Sequence, residues 1–437
     1  MTGPPDEPLE GSPGSVVPLG PSEQLERLLR GSAEAVPLDD LAQKLERAVR
    51  EERPLRVKLG LDPTAADVTL GWAVVLRKLR QFQDLGHTAV LIVGDFTARV
   101  GDPSGKSETR PRLDKEVVQA NAERVLGQFG AILSDERLEL RYNSEWLEGM
   151  SMEDVLRMTA SYTVARMLER DDFAKRYAQG RPISIMEFLY PLLQGMDSVA
   201  IRADVELGGS DQMFNLLVGR DLQREYGQEP QVALTMPLLV GLDGVRAMGQ
   251  SLGNYVAIAE PPEEMFGKLM SLPDGIIGTY LSLCTDVEPD EVQRIEAGLA
   301  DGSLHPGEQK RRMAREIVAL YHGPEAARAA EERFDVVHKR HEIPPDVQDV
   351  EVARAAFVRE PEPGVEVVYY PALLVELGLA TTRSEARRLL EQGGVRRDGE
   401  PWRQIEERLT GPVDALVGSI WQVGRRAFAR IGGITSG

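Results

Sequence analysis

Between residues 55 and 257 the chain alternates short apolar runs with longer stretches whose apolar residues recur at helical spacing. Residues 89–101 (AVLIVGDFTARVG) are a continuous apolar run that ends in a turn, as is typical of buried parallel strands. Residues 232–244 (VALTMPLLVGLDG) have the same pattern and end in an Asp-Gly turn. This alternation predicts an open, doubly wound α/β sheet that binds its ligands at the carboxyl ends of the strands.

The regions outside this alternation predict further segments. Helical spacing dominates residues 113–183, which are predicted to be an insertion between the two halves of the sheet. Pro- and acid-rich stretches predict linkers, and the C-terminal region mixes short helices, a Gly-Gly turn and late strands. The predicted segments are a disordered tail (1–22), a doubly wound domain (23–258), a helical bundle (259–345), a linker (346–368) and a small α/β domain (369–437).

Composition narrows the class of protein. The 437 residues carry a formal net charge of −19, so a nucleic-acid partner would need a local basic face. The single cysteine, Cys284, excludes an intrachain disulfide and a thiolate zinc site. No apolar run approaches the roughly 18–20 residues of a membrane span, and the first residues lack the order of a signal peptide. We therefore expect a cytoplasmic protein with no membrane partner and no metal site.

A first candidate for chemistry is the motif GDPSGKS at residues 101–107. It is similar to a phosphate-binding P-loop but lacks the first glycine, because Val100 occupies that position. Asp102 follows a buried strand, where a carboxylate can meet a substrate ammonium group or merely cap a turn. The motif alone leaves both roles open.

A second candidate is a set of polar side chains on one face of a predicted helix. Tyr190, Gln194 and Asp197 stand at i, i+4 and i+7 in a stretch otherwise made of Leu, Phe, Met and Ile. Buried polar groups need partners, and a zwitterionic amino acid with a polar tip would supply them. A solvated polar stripe is the alternative. The following turn, LGGSDQ, offers Asp211 and Gln212 to the same cleft.

Six motifs, in this order and spacing, resemble those of bacterial tyrosyl-tRNA synthetases: GLDPTA, RKLRQFQDLGH, GDPSGKS, YPLLQGMD, LGGSDQ and SLGN. The resemblance extends from about residue 25 to the C-terminus. It implies an α/β protein with a class I synthetase Rossmann-like catalytic domain, a helical insertion that dimerises, a helical anticodon-binding domain and a small C-terminal S4-like RNA-binding domain. A homodimer and a tRNA bound through the C-terminal domain are the partners that it implies.

The resemblance also implies an intact pocket for L-tyrosine or a close analogue. Asp102, Tyr190 and Gln194 would hold the α-ammonium group. Asp197 would bind the phenolic hydroxyl, and Gln212 would line the pocket near the carboxyl end of the substrate. Hydrogen bonds to a buried hydroxyl can discriminate tyrosine from phenylalanine by about 10⁴–10⁵.

The roles of two further positions follow less directly from the resemblance. Lys58 stands where one branch of the family has a second tyrosine that binds the hydroxyl, and other branches carry lysine there. Asp211 falls where the family binds the ribose of the adenylate. We therefore expect Lys58 at the tyrosine and Asp211 at the nucleotide.

The two catalytic signatures of the family do not match. Where the family has His-x-Gly-His, whose imidazoles bind the ATP phosphates and ribose, residues 69–72 are TLGW. Where it has Lys-Met-Ser-Lys-Ser, whose lysines neutralise the triphosphate, residues 247–251 are AMGQS, and Arg246 is the adjacent cation. The nucleotide half of the implied site comprises Asp62, Thr64, Thr69, Gly71, Trp72, Asp211, Arg246, Met248, Gln250 and Ser251.

These changes decide between two hypotheses. Losing one preorganised donor to transition-state charge costs roughly 3–4 kcal/mol, or about 10²–10³ in rate, so two full losses remove about 10⁴–10⁶. We therefore expect a repurposed paralogue that binds tyrosine, either for aminoacyl transfer or condensation with a small acceptor or for tyrosine sensing. The alternative is a tyrosine--tRNA ligase that compensates through Arg246, Lys106 or bound magnesium, and only then are ATP and Mg²⁺ expected.

A third hypothesis is an RNA-binding regulatory protein that uses only its C-terminal part. Residues 369–437 carry ten arginines against eight acidic residues, which leaves only two net positive charges. A local basic face could still contact phosphates, and an ordinary solvated helix is the alternative. The candidate RNA-binding residues are Arg383, Arg387, Arg388, Arg396 and Arg397.

Overall fold

The chain folds into two compact units, Met1–Tyr321 and His322–Gly437. In the part of the chain that the structure describes, no helix combines the length and the apolar composition that crossing a membrane requires. The computed structural model describes residues 19–102, 114–337, 347–362, 364–424 and 427–435.

The sheet of the first unit consists of β1 (Glu34–Val36), β2 (Arg56–Leu61), β3 (Thr88–Val93), β4 (Leu138–Tyr142), β5 (Val205–Gly209) and β6 (Val232–Met236). Their order is β1-β6-β5-β2-β3-β4. Neighbouring strands are parallel, except that β1 pairs antiparallel with β6. The chain thus leaves the sheet after β4 and returns beside β2, which confirms the predicted doubly wound α/β sheet.

Helices precede, connect and follow these strands along the chain, and the first of them begins at Pro21, inside the predicted tail. Residues 1–18 of that predicted tail lie outside the described residues. The helices are α1 (Pro21–Leu29), α2 (Leu38–Arg50), α3 (Leu70–Asp84), α4 (Thr97–Val100), α5 (Lys115–Phe129), α6 (Ser144–Leu147), α7 (Met152–Ala160), α8 (Val164–Met167), α9 (Asp171–Ala178), α10 (Ile185–Ile201), α11 (Met213–Glu225), α12 (Pro262–Met270), α13 (Ile277–Cys284), α14 (Pro289–Ala300) and α15 (Pro306–Asp335).

Two of these helices position the candidate site, and the sequence explains where each begins. Thr69 caps α3, because its Oγ1 accepts from the backbone N–H of Trp72 at 3.3 Å. Ser184 caps α10 through a capping box. Helix α10 packs against α11 where both carry glycine: a Cβ added to Gly195 would lie 3.3 Å from the Cα of Gly219. The two backbones can therefore approach closely.

The prediction that residues 113–183 are almost wholly helical is wrong at β4. This strand pairs in parallel with β3, with Leu138 opposite Ala89. Its sequence, LELRY, alternates apolar and charged residues, and none of the five is fully buried, as suits a strand at the edge of a sheet. The strong helical spacing on both sides hid this short alternation.

The second unit contains β7 (Asp349–Ala353), β8 (Val358–Glu362), β9 (Val365–Tyr369), β10 (Val395–Arg397), β11 (Glu400–Trp402), β12 (Glu406–Arg408), β13 (Ile420–Val423) and β14 (Ala427–Thr435), with helices α16 (Arg354–Phe357), α17 (Tyr370–Glu376) and α18 (Arg383–Glu391). One sheet has the order β11-β10-β13-β14-β7 and the other β12-β9-β8. Trp421 is fully buried in the core between these elements.

The predicted linker at residues 346–368 is wrong, because most of its described part is folded. Strand β7 pairs with β14, and β8 and β9 pair with each other. Its Pro- and acid-rich composition is that of a linker, but Val352, Phe357 and Val368 are buried in the core of the second unit. Earlier in the chain than this segment, α15 contains residues of both units and is interrupted at Gly323, where φ is 85°.

Candidate active site

The candidate residues come from the carboxyl ends of three central strands and from one face of α10. Asp62 follows β2, and Thr64 donates its backbone N–H to the carbonyl oxygen of Asp62 at 2.7 Å. Asp102 follows β3 and α4, whereas Asp211 and Gln212 form a 3-10 turn after β5. Because β2, β3 and β5 are parallel neighbours, these loops lie at one edge of the sheet.

Acceptor oxygens cluster at one end of this cleft. The Tyr190 hydroxyl donates to Oδ2 of Asp62 at 3.0 Å, and Nε2 of Gln212 donates to Oδ2 of Asp102 at 3.0 Å. Having donated its proton, the Tyr190 oxygen can still accept from a ligand. Burial of the Asp62 carboxyl group, reinforced by the charge of Asp102, raises its pKa to about 7. This end of the cleft therefore suits an ammonium group.

Asp197 lies in α10 and is held by two donors. Trp146 donates its indole N–H to Oδ1 at 2.9 Å, and Asn143 donates its amide to Oδ2 at 3.4 Å. Asp197 is buried, and this burial raises the pKa of its carboxyl group to about 7. A buried, oriented carboxyl group of this kind can bind a hydroxyl group that enters the cleft.

One buried amide connects the two acidic groups. Asn143 also donates to Oγ1 of Thr97 at 2.9 Å, and the Thr97 hydroxyl donates to Oδ1 of Asp62 at 2.7 Å. Sequence reasoning missed Thr97, Asn143 and Trp146. Asn143 and Trp146 follow β4, so a prediction of that strand would have placed them at the edge of the sheet where ligands bind. The sequence analysis did not predict β4.

Lys58, which the sequence analysis expected at the tyrosine, is bonded within the protein. Its side chain is 0% exposed, and Nζ donates to the backbone oxygen of Gln194 and to Oγ of Ser198, both at 2.8 Å. The same ammonium group lies 2.9 Å from Oε1 of Glu206, which is also buried. Three acceptors thus already surround the three N–H groups of Lys58, so its direct contact with tyrosine stays a prediction.

The start of α3 carries the first residues that the sequence analysis assigned to the nucleotide half. Thr69 is buried and its hydroxyl oxygen is used as the helix cap, while Trp72 is partly exposed. A Cβ added to Gly71 would lie 3.5 Å from the Cβ of Met248, so the loop of residues 246–254 packs on this first helical turn. Ser251 in that loop is exposed.

The loop itself is held by its own hydrogen bonds. Asp243 accepts from the backbone N–H groups of Val245 and Arg246 and pairs with the Arg246 guanidinium group at 2.8 Å. These donors hold the pKa of Asp243 well below its usual range. Gln250 donates its amide to the backbone oxygen of Asp67 at 2.6 Å. Residues of the two altered signatures are thereby bonded within the protein.

The chain is similar to known proteins along most of its length. Residues 50–339 match the family described as tRNA synthetases class I (W and Y), and residues 371–411 match the S4 domain. The tyrosine--tRNA ligase of Moorella thermoacetica is 52% identical over 413 residues, which cover 94% of this chain and 96% of that protein. That of Thermotoga maritima is 49% identical over 415 residues, 95% and 98% of the two chains. The chain belongs to the bacterial tyrosyl-tRNA synthetase family.

Solved structures of synthetases share the fold. The tyrosyl-tRNA synthetase from Archaeoglobus fulgidus, complexed with L-tyrosine, has a TM-score of 0.57 at 23% identity, covering 71% of this chain and 99% of that chain. A C-terminally truncated mitochondrial tyrosyl-tRNA synthetase from Aspergillus nidulans has a TM-score of 0.59 at 23% identity, covering 74% and 94%. These likenesses confirm the class I synthetase fold with its Rossmann-like sheet.

The S4 domain of this family member carries the five arginines that the sequence singled out. Arg383, Arg387 and Arg388 lie on α18 and are exposed. Arg396, on β10, donates to the backbone oxygen of Gly399 at 2.9 Å. Arg397 lies over the indole rings of two tryptophans, at 5.1 Å and 5.7 Å from their centroids, so part of its side chain is packed on the core.

Proposed function

We propose that this protein is a tyrosine--tRNA ligase, which joins L-tyrosine to tRNA(Tyr) with ATP, and that it activates tyrosine slowly. The observation that carries the proposal is the arrangement of acceptors around α10, with Tyr190 bonded to Asp62 at one end and Asp197 held by Trp146 at the other. Relatives similar along almost the whole chain are tyrosine--tRNA ligases, which favours this activity over the repurposed paralogue that the altered signatures suggested.

Recognition of the amino acid follows from the two ends of the cleft. Asp102, Tyr190 and Gln194 accept from the α-ammonium group, while Gln212 bonds to Asp102 and keeps that carboxylate in place. Asp197 accepts from the phenolic hydroxyl. Phenylalanine lacks that hydroxyl and leaves Asp197 without a ligand partner, which is the situation that gives polar sites their selectivity.

Activation of the amino acid is the step that the altered residues slow. ATP, with Mg²⁺, would supply the adenylyl group at the edge formed by α3 and the loop of residues 246–254. Thr69 offers no imidazole there, and Arg246 is already paired with Asp243. Each missing donor to the developing charge costs about 10²–10³ in rate, so we expect adenylate formation to be at least about 10⁴-fold slower than with the full signatures.

One observation favours a second candidate function, a tyrosine-binding protein that no longer activates its ligand. Gln250 donates to the backbone oxygen of Asp67, which bonds the loop directly to the segment before α3. A cleft with a complete amino-acid end and a nucleotide end bonded to itself would suit tyrosine sensing, or transfer of an aminoacyl group to a small acceptor.

The partners that we propose are a tRNA and a second copy of the chain, as the family implies. We propose that tRNA is bound through the S4 domain, with the exposed Arg383, Arg387 and Arg388 of α18 at the phosphates. We also propose a homodimer that covers the apolar side chains exposed between α7 and α10. Those side chains are Met152, Leu156, Val164, Tyr177 and Ile185.

Three measurements test the proposal. Tyrosine-dependent exchange of pyrophosphate into ATP and charging of tRNA(Tyr) are measured at high enzyme concentration, and calorimetry measures binding of L-tyrosine. We expect tyrosine binding together with slow exchange and slow charging. Tyrosine binding without any exchange or charging would replace the ligase by the second candidate. No tyrosine binding would contradict both.

A further inference from the structure

We propose that the buried pair Lys58–Glu206 is a positioning unit that fixes the side-chain amide of Gln194 with its oxygen toward the amino group of the substrate. The inference rests on the proposed binding of L-tyrosine and adds Glu206 to the residues that determine specificity. Neither residue touches the substrate. Both act through the orientation of one amide group.

The geometry of Glu206 begins the argument. Its side chain is 1% exposed and lies 2.9 Å from the ammonium group of Lys58. The same oxygen, Oε1, accepts from Nε2 of Gln194 at 3.0 Å. The other oxygen, Oε2, accepts from Oγ of Ser198 at 3.0 Å and from the amide of Gln231. Both oxygens therefore have two partners each.

These bonds decide which way the Gln194 amide points. An ionised carboxylate can only accept hydrogen bonds, so Gln194 must turn its NH₂ group toward Glu206. The carbonyl oxygen of the same planar amide then points away from Glu206. Gln194 is partly exposed, in contrast to the buried residues behind it. An oxygen at this position accepts from an ammonium group, whereas an NH₂ group there would repel it.

Lys58 supports this arrangement from the other side. It donates to the backbone oxygen of Gln194 and to Oγ of Ser198, so it ties the pair to the helix that carries Gln194. The charge of Lys58 balances that of Glu206, which a buried carboxylate requires. Gly219 on α11 leaves room for the network, because a Cβ there would lie 2.6 Å from Nε2 of Gln231.

The test compares two ligands that differ only in the amino group: L-tyrosine and its desamino analogue. In the variant Glu206→Gln, residue 206 can donate as well as accept, so the Gln194 amide is no longer held in one orientation. Calorimetry should show L-tyrosine binding weakened about three- to tenfold relative to the desamino analogue. A residue that only stabilises the fold would weaken both ligands equally, and that result would overturn the inference.

Matched variants keep the test decisive if Glu206→Gln is unstable. Lys58→Met combined with Glu206→Met removes both charges together, which buried ion pairs commonly tolerate, and should give the same loss of preference for the amino group. Ser198→Ala removes the two bonds between Ser198 and the pair but leaves the bond to Gln194, and should weaken both ligands alike. In a Gln194→Met background, Glu206→Gln should no longer change the preference.

The outcomes separate this inference from the proposed function. Binding of L-tyrosine by the unchanged protein, with equal losses for both ligands in the variants, contradicts the positioning role alone. Failure of the unchanged protein to bind L-tyrosine contradicts the proposed function, and the inference with it. A selective loss that appears in both the single and the double variant supports the positioning unit.

Discussion

The proposed tyrosine half of the cleft (Asp102, Tyr190, Gln194, Asp197 and Gln212) and its proposed nucleotide half lie at the same edge of one sheet, yet their polar groups are engaged differently. In the tyrosine half the side chains bond mainly to one another, and groups such as the Tyr190 oxygen can still accept from a ligand. In the nucleotide half the polar side chains named here already bond to the backbone or to a neighbouring side chain. Thr69 caps a helix, Arg246 pairs with an aspartate and Gln250 bonds to a carbonyl. A cleft can bind a ligand only through polar groups that are not already used in hydrogen bonds within the protein. The tyrosine half has kept such groups.

The largest effect should come from restoring the two altered signatures. The variant with Thr69→His, Trp72→His, Ala247→Lys and Gln250→Lys regains the cations and donors that the family places at the triphosphate. We expect tyrosine-dependent pyrophosphate exchange to rise at least about 10⁴-fold, because each preorganised donor contributes about 10²–10³.

A partial variant sharpens this result. Thr69→His with Trp72→His restores only the start of α3 and should regain part of the rate. Thr69 caps the helix, so its loss costs roughly 1 kcal/mol of stability, and thermal unfolding of each variant must accompany the rates. If the full variant exchanges no faster than the unchanged protein, the nucleotide half is not what limits activation.

The next effect concerns the tyrosine half. Asp197→Asn keeps the volume but removes the carboxylate to which we assign the phenolic hydroxyl, and it disturbs the bond from Trp146. We expect the preference for L-tyrosine over L-phenylalanine, measured by calorimetry with each ligand, to fall about 10²-fold or more. Asp84→Asn, which removes an exposed carboxylate from α3, is the control and should leave the preference intact. An unchanged preference in Asp197→Asn would place the hydroxyl elsewhere.

The sequence alone could predict those parts of the site whose spacing is local. The i, i+4, i+7 pattern of Tyr190, Gln194 and Asp197 required only a helix, and α10 provides it. The doubly wound sheet could be predicted because buried parallel strands are continuous apolar runs.

Interactions between distant segments could not be predicted. Glu206 stands in a strand of mostly apolar residues, and nothing local reveals that Lys58 on a neighbouring strand balances its charge. Trp146 and Asn143 were missed because β4 before them is an edge strand with alternating charges. For the same reason the acidic linker at residues 346–368 concealed folded strands, since its few apolar residues are buried in a core that also contains residues far along the chain.

A smaller effect should appear as a pH dependence of stability. The pKa of about 7 for Asp197 in the folded protein exceeds its ordinary value of 3.8, so between these pH values the native state binds more protons than the unfolded state. Stability from this group is therefore highest below about pH 4 and is lost as pH rises from there through about 7, by roughly 3 kcal/mol between pH 5 and pH 8.

Urea unfolding at pH 5 and pH 8 measures this dependence. Asp62 also makes the protein less stable as pH rises. Buried His87, with its pKa lowered to about 4, makes it more stable as pH rises toward 6.5. The informative quantity is thus the difference between the unchanged protein and Asp197→Asn, which should lose the contribution of one carboxyl group. If the free energy of unfolding changed equally with pH in the two proteins, Asp197 would have to be ionised throughout this pH range.

The smallest effect should come from the bond that joins the loop of residues 246–254 to the segment before α3. Gln250→Ala removes the 2.6 Å hydrogen bond to the backbone oxygen of Asp67 but leaves the Asp243 bonds that hold the rest of the loop. A net hydrogen bond is worth about 1 kcal/mol, so a nucleotide that must displace it should bind about fivefold more tightly in the variant. Calorimetry with ATP in the presence of L-tyrosine measures this change, and Ser251→Ala, at an exposed neighbour, is the control. Weaker ATP binding in Gln250→Ala would instead mean that the glutamine itself contacts the nucleotide, and the nucleotide half would then resemble the tyrosine half more closely than its internal bonds suggest.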